Sequence, residues 1–208
     1  MAALIKTIGL FMTSPSKAFA MTRRRGDYLS PIVFALIVGW VGFLAEQCWS
    51  LVFQSTYLLF LPESIRDQLG WVTERTLGGS IVGFVMGFAL FPFAALVGLF
   101  ISAAVLHLFL MLLGATSKSR AGFEGTVRVL AYSSVATLAN VIPFAGSFIA
   151  FFWAIVLQTI GASTLHETGK GRALFAILIP VILCCACIFL FVGAIVTILG
   201  AAFAGVGA

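Results

Sequence analysis

The chain has 208 residues, 62% of them hydrophobic and 9% charged, whereas about a quarter of an average soluble domain is charged. That composition excludes a soluble globular class and marks an integral membrane protein. The formal charge of +5 says less than where the charges sit, because topology follows Lys and Arg near span ends rather than net charge.

A helix needs roughly 20 apolar residues to cross a hydrocarbon core of about 30 Å, so the chain holds about five or six spans and no soluble domain beside them. Residues 1–27 open with ALIKTIGLFM, a TSPSK turn, the short stretch AFAM, and the block Arg23, Arg24 and Arg25. The apolar core is too short for a cleaved signal peptide and Lys6 interrupts it, so the segment is expected to be retained. Leu4, Ile5, Ile8 and Phe11 or Met12 follow helical spacing, which predicts a short amphipathic helix lying in the membrane interface. The three arginines then either face anionic lipid headgroups or act only as topological anchors.

The first span begins at Pro31, a residue suited to a helix start, and runs to about residue 53. Residues 54–76 carry Glu63, Arg66, Asp67, Glu74 and Arg75 and read as an interfacial connection. The second apolar run, 77–113, would extend about 55 Å as one helix, nearly twice the hydrocarbon core. It must tilt or bend, and Pro92 is the natural place for a kink. Gly79, Gly83 and Gly87 recur every fourth residue and predict a face where a neighbouring helix approaches closely, by default one of the same chain.

The third span is the Ser-, Thr- and Asn-bearing stretch 126–142, ended by PFAG, and the fourth follows at once over 147–164. After the HETGKGR loop the fifth begins near Ala173, with Pro180 bending it. The expected fold is therefore an all-α polytopic bundle of five transmembrane helices with a short N-terminal interfacial helix. Residues 1–27 form the interfacial segment, and 28–208 form one five-helix domain. With the N-terminus inside, Lys6, Lys17, Arg23, Arg24, Arg25, Lys118, Arg120, Arg128, Lys170 and Arg172 are cytoplasmic and only Arg66 and Arg75 lie outside. This asymmetry predicts a cytoplasmic N-terminus and an external C-terminus, in a bacterial cytoplasmic membrane.

Ionisable groups inside spans are costly and each calls for a reason. His107, Arg128, Tyr132, Ser133 and Gln158 fall at one level, near the cytoplasmic end. They form either a polar cavity open to the cytoplasm or a set of interhelical hydrogen bonds. Toward the other end Glu46, Gln47, Gln54 and Asn140 could cluster, with Glu46 reaching the interface or pairing with Arg75. The CCAC run at 184–187 has two sulfurs on one helix face and no further ligand near in sequence, so it reads as helix-packing residues rather than a soft-metal site. HETGKGR lacks the P-loop pattern. No nucleophile triad, zinc signature or dinucleotide fingerprint occurs, so neither an enzyme nor a bound cofactor or metal is expected.

Two stretches resemble a known family. DYLSP, at 27–31 before the first span, is similar to the acidic, aromatic and proline approach that the Yip1 domain family makes to its first helix. AYSSVATLANVIP, at 131–143, is similar to that family's GYS followed by proline within the third span. The likeness runs from SPSKAF to the fifth span, in the short form of prokaryotic members. Ala131 stands where the family often has Gly and Ala136 where it often has Pro, and the long acidic cytosolic region of eukaryotic members is absent. The resemblance implies membrane organisation, bilayer shaping and association with other membrane proteins, and no specific activity.

The sequence thus points to a non-enzymatic membrane protein acting through protein or lipid contacts, as a membrane organiser or an accessory subunit. Its expected partners are the bilayer, with anionic lipids at the cytoplasmic face, and other integral membrane proteins or further copies of itself, with no nucleic acid. The alternative is a small transporter or channel using the cavity around His107 and Arg128.

Overall fold

The computed structural model describes residues 2–23, 26–59, 70–117 and 119–206, with side chains for 3–23, 26–53, 82–117 and 119–197. Among them the chain is helical throughout, in the order α1 (Ala2–Thr13), α2 (Pro15–Met21), α3 (Leu29–Leu59), α4 (Gly70–Leu112), α5 (Gly122–Ser133), a 3-10 segment (Ser134–Val141), α6 (Gly146–Leu165) and α7 (Lys170–Val206). Four helices are long and apolar enough to cross a membrane, over Leu29–Phe53, Val82–Leu112, Gly146–Leu165 and Lys170–Thr197. They are the expected first, second, fourth and fifth spans. The second runs unbroken through Pro92.

The expected third span is built differently. Twelve α-helical residues continue into eight 3-10 residues, and the larger 3-10 rise lets the pair reach about 34 Å. Hydroxyl bonds accompany the change of helix type. Ser134 Oγ donates to the Ala131 carbonyl at 2.7 Å, and Thr137 Oγ1 donates to that of Ser134 at 2.7 Å. Both reach three residues back, and such bonds compete with the α-helical ladder. Pro143 then ends the segment, holding Ile142 extended at φ −86° and ψ 118°.

This composite crossing is the hub of the bundle. It packs against α1, α3, α4 and α6, while α7 lies outside, against α4 and α6. Val127, Val129, Ala131 and Val135 are fully buried, in a core that also takes Phe34, Val38, Leu106, Leu110, Leu157 and Leu165.

The expected N-terminal helix is present as α1, and a second helix follows it after a tight Thr13–Pro15 turn in which Pro15 starts α2. The two form a hairpin against the bundle. Phe19 of α2 is fully buried against Gly161 of α6, and Phe11 of α1 stacks on Tyr132. Met12, next to the turn, borders an open groove with Ala136, Phe152 and Trp153. Ala136 lies about 13 Å beyond Arg128 along the central crossing, so the hairpin tip reaches toward the middle of the bundle's depth while Thr7 of α1 and Met21 of α2 line the cavity beside Arg128.

Close approaches occur at one of the three spaced glycines, Gly87, and at further glycines outside that pattern. Gly83 faces open space, Gly87 meets the Phe43 ring of α3, and Gly79 lies outside the residues whose side chains are described. The tight contacts are Gly42 against Thr137, Gly161 against Phe19, and Gly146 against the Ala139 and Asn140 backbone. A Cβ at position 42 would lie 2.8 Å from Thr137 Oγ1, whereas at 83 it would meet nothing within 4 Å. Gly42→Ala is therefore expected to lower thermal stability in detergent by about 1–3 kcal/mol, and Gly83→Ala to leave it unchanged or raise it slightly.

Candidate functional site

Arg128 is 1% exposed, and an isolated buried charge is costly unless paired. Glu124 and the Asp27 backbone both meet it. Its Nη2 donates to the Asp27 carbonyl at 2.9 Å and to Glu124 Oε1, one helical turn earlier on α5. The same Glu124 oxygen also accepts from the backbone N–H groups of Gly26 at 2.7 Å and Asp27 at 3.3 Å. Gly26 has φ +94°, a left-handed conformation that costs glycine little and other residues more. The buried ion pair thus clamps the backbone leading into α3.

Asp27 completes that corner by accepting the Ser30 N–H at 3.1 Å. Hydrogen bonds from Ser30, and secondarily the Arg128 charge, hold its carboxyl below the ordinary value. Above the clamp lies a cavity of about 260 Å³ lined by Thr7, Phe11, Arg23, Asp27, Arg128 and Tyr132 among others. The Tyr132 ring stacks on Phe11 with centroids 4.6 Å apart and leans on Phe34 at 5.3 Å. The cavity has a basic rim at Arg23 and an aromatic floor. Arg24 and Arg25 lie outside the described residues.

A second polar cluster sits at the same end of the bundle. His107 Nδ1 is 2.8 Å from Thr126 Oγ1, which is 3.0 Å from Nε2 of His166, whose Nδ1 is 2.8 Å from Ser119 Oγ. Ser119 Oγ also accepts the Ala121 N–H at 3.2 Å. A neutral imidazole offers one donor and one acceptor, and a hydroxyl does likewise. The four groups are therefore satisfied together when all donate in one direction along the chain, in either sense. His166 stands just past the last turn of α6 and is fully buried. Burial, and then the neighbouring His107, push its pKa down to about 4.

The residues expected to share one cavity are distributed. Arg128 and Tyr132 line the cavity under the hairpin, while Gln158 borders an open cleft of about 350 Å³ with Ser102, Leu130 and Cys184. His107 belongs to the histidine chain, and the Ser133 hydroxyl is buried without a hydrogen-bond partner among the described residues. Sequence reasoning missed Glu124, Thr126, His166 and Ser119. The i, i+4 spacing of Glu124 and Arg128 was the available signal, whereas nothing local links His166 to His107. At the far end Glu46 lies 3.5 Å from Asn140 Nδ2, and the Arg75 side chain is outside the described residues. The three clustered cysteines are exposed on α7 and do not fill a helix interface.

Removing Glu124 would strand a buried guanidinium. Glu124→Ala is expected to cost about 3–5 kcal/mol of unfolding free energy in detergent, and Glu124→Gln less, since it keeps an acceptor for Gly26 and Asp27. The His166 pKa predicts a separate effect. Between its ordinary value of 6.5 and about 4 the unfolded chain takes up a proton that the folded chain refuses, so stability falls as pH falls through that window, by up to about 3 kcal/mol. Melting curves of the wild type should show this slope, and His166→Gln should flatten it.

A family model of the Yip1 domain matches residues 8–192, a stretch that takes in most of the hairpin, the clamp, the first four crossings and most of the fifth. Among curated proteins nothing matches significantly, and among solved structures nothing does.

Proposed function

The chain belongs to the Yip1 domain family, and we propose that it is a non-enzymatic membrane protein that organises the bilayer, and the proteins within it, by contact. In this reading the Arg128 end faces the cytoplasm of a bacterial cell and the C-terminus lies outside, as the ten cations against two favour.

The observation that carries the reading is the N-terminal hairpin. α1 and α2 pack against the central crossing and α6 and reach only toward mid-depth. Helices of about 10 Å diameter therefore add roughly 150 Å² of cross-section to one leaflet and none to the other. Lys17, exposed on α2, keeps its ammonium at the surface by extending along the helix. Arg23, with Arg24 and Arg25 beside it in sequence, suits anionic headgroups at the same surface, at about 1 kcal/mol each. An inclusion wider in one leaflet favours membrane curved toward that side. The exposed apolar length of α7, including Phe189, Leu190 and Phe191, leaves surface for neighbouring membrane proteins or a second copy.

The transporter reading draws less support. His107 and Arg128 belong to separate hydrogen-bonded clusters, and Arg128 is committed to Glu124 and Asp27.

Reconstitution tests the wedge. Inserted with the hairpin side outward, the wild-type protein and Met12→Leu are expected to reach higher density on small vesicles than on large ones. Met12→Glu puts a charge at the hairpin tip, where Met12 is 39% exposed, and should weaken that preference by drawing the tip toward water. Equal wild-type density on both vesicle sizes would sink the reading.

A further inference from the structure

At the end of the bundle opposite Arg128, α3, the 3-10 segment and the turn before α6 enclose a pocket of about 250 Å³. We propose that it binds a primary ammonium group. Glu46, Trp49 and Phe53 recur along one face of α3, and Asn140, Phe144 and Ser147 close the other side. The Trp49 ring stacks on Phe53 with centroids 6.0 Å apart, and Phe53 meets Phe144 at 4.3 Å. The Trp49 indole is fixed, since its Nε1–H donates to the Val141 carbonyl at 3.1 Å.

The lining is one-sided in its chemistry. It offers a carboxylate, hydroxyls and three aromatic faces, and no Lys, Arg or His lines it among the described residues. Glu46 is exposed and has one long contact of 3.5 Å from Asn140 Nδ2. The other end of that amide, Asn140 Oδ1, is buried and accepts no hydrogen bond among the described residues. An anion would meet the Glu46 charge, and a neutral acceptor would find few donors. An –NH3+ group supplies three donors and a positive charge, matching the carboxylate and a hydroxyl while resting against the ring faces.

The backbone is shaped to the same end. Phe144 has φ +61°, a left-handed conformation that is an outlier for a bulky residue and tends to mark functional sites. It holds the ring over Phe53. Glu46 to Phe53 lie about 26–36 Å along α3 from Leu29, which is headgroup level at the far surface of a bilayer about 30 Å thick in its core. An aminolipid headgroup such as phosphatidylethanolamine, its acyl chains running down exposed Ile142 and Phe148, and a free primary amine would both satisfy this chemistry.

Native mass spectrometry of the full chain in detergent separates the two. The probes are phosphatidylethanolamine, phosphatidylglycerol with the same acyl chains, and ethanolamine alone. Saturable binding of phosphatidylethanolamine over phosphatidylglycerol is expected, weakened about tenfold or more by Glu46→Gln. Phe144→Gly removes one ring and relieves the backbone, so it should weaken binding without lowering the melting temperature, while Phe93→Leu on the outer face of α4 should change nothing. Binding of ethanolamine with the same dependence on Glu46 would make a soluble amine sufficient, and binding of the lipid alone would make the membrane the source. The proposal is overturned if the two lipids bind equally, if Glu46→Gln binds as the wild type does, or if no amine binds.

Discussion

A guanidinium buried to 1% exposure must find its partners inside the protein, and the Arg128 end of this bundle is arranged around that need. Arg128 takes Glu124 from its own helix and a carbonyl from Asp27, about 100 residues away in sequence, while Glu124 collects the N–H groups of Gly26 and Asp27. The pair therefore ties the start of the first crossing to the central one. It also fixes where the N-terminal hairpin returns, because Arg23 and Thr22 line the cavity directly over it. Such a pair contributes less through attraction than through the penalty on any arrangement that separates it.

From that anchor the central crossing organises the rest. Its polar residues serve packing: Ser134 and Thr137 bond back to their own backbone, and Thr126 bridges two histidines. Glycines at 42, 146 and 161 let α3 and α6 approach the central crossing, and α2 approach α6, more closely than any side chain would permit. The polar groups at the opposite end are different in kind. There a carboxylate, hydroxyls and three rings line one pocket.

Much of this architecture was legible from hydropathy and punctuation. Pro31, Pro143 and the HETGKGR loop lie within a few residues of real helix ends, because prolines and loop charges act locally. Pro92 sits inside a continuous helix, since one missing hydrogen bond does not end a helix held along its length by α3 and α7. The Gly79, Gly83 and Gly87 spacing was a true pattern on one helix face, but spacing cannot say what stands opposite, and at Gly83 nothing does. The polar residues expected at one level near the Arg128 end fall into separate surroundings. Equal depth leaves the rotation of each helix undetermined, and rotation sends Gln158 toward α7 while Tyr132 turns to the hairpin. Helical spacing revealed α1, yet only the packing of Phe19 on Gly161 shows that it folds back with α2.

The 3-10 turns of the central crossing carry a consequence of their own. Eight residues in that form are about 4 Å longer than the same eight in an α-helix. Rewinding them as α-helix would draw the Pro143 turn inward by that distance and pull the Trp49 indole off the Val141 carbonyl. The thickness of bilayer that this crossing fits is therefore written in its helix type as much as in its residue count.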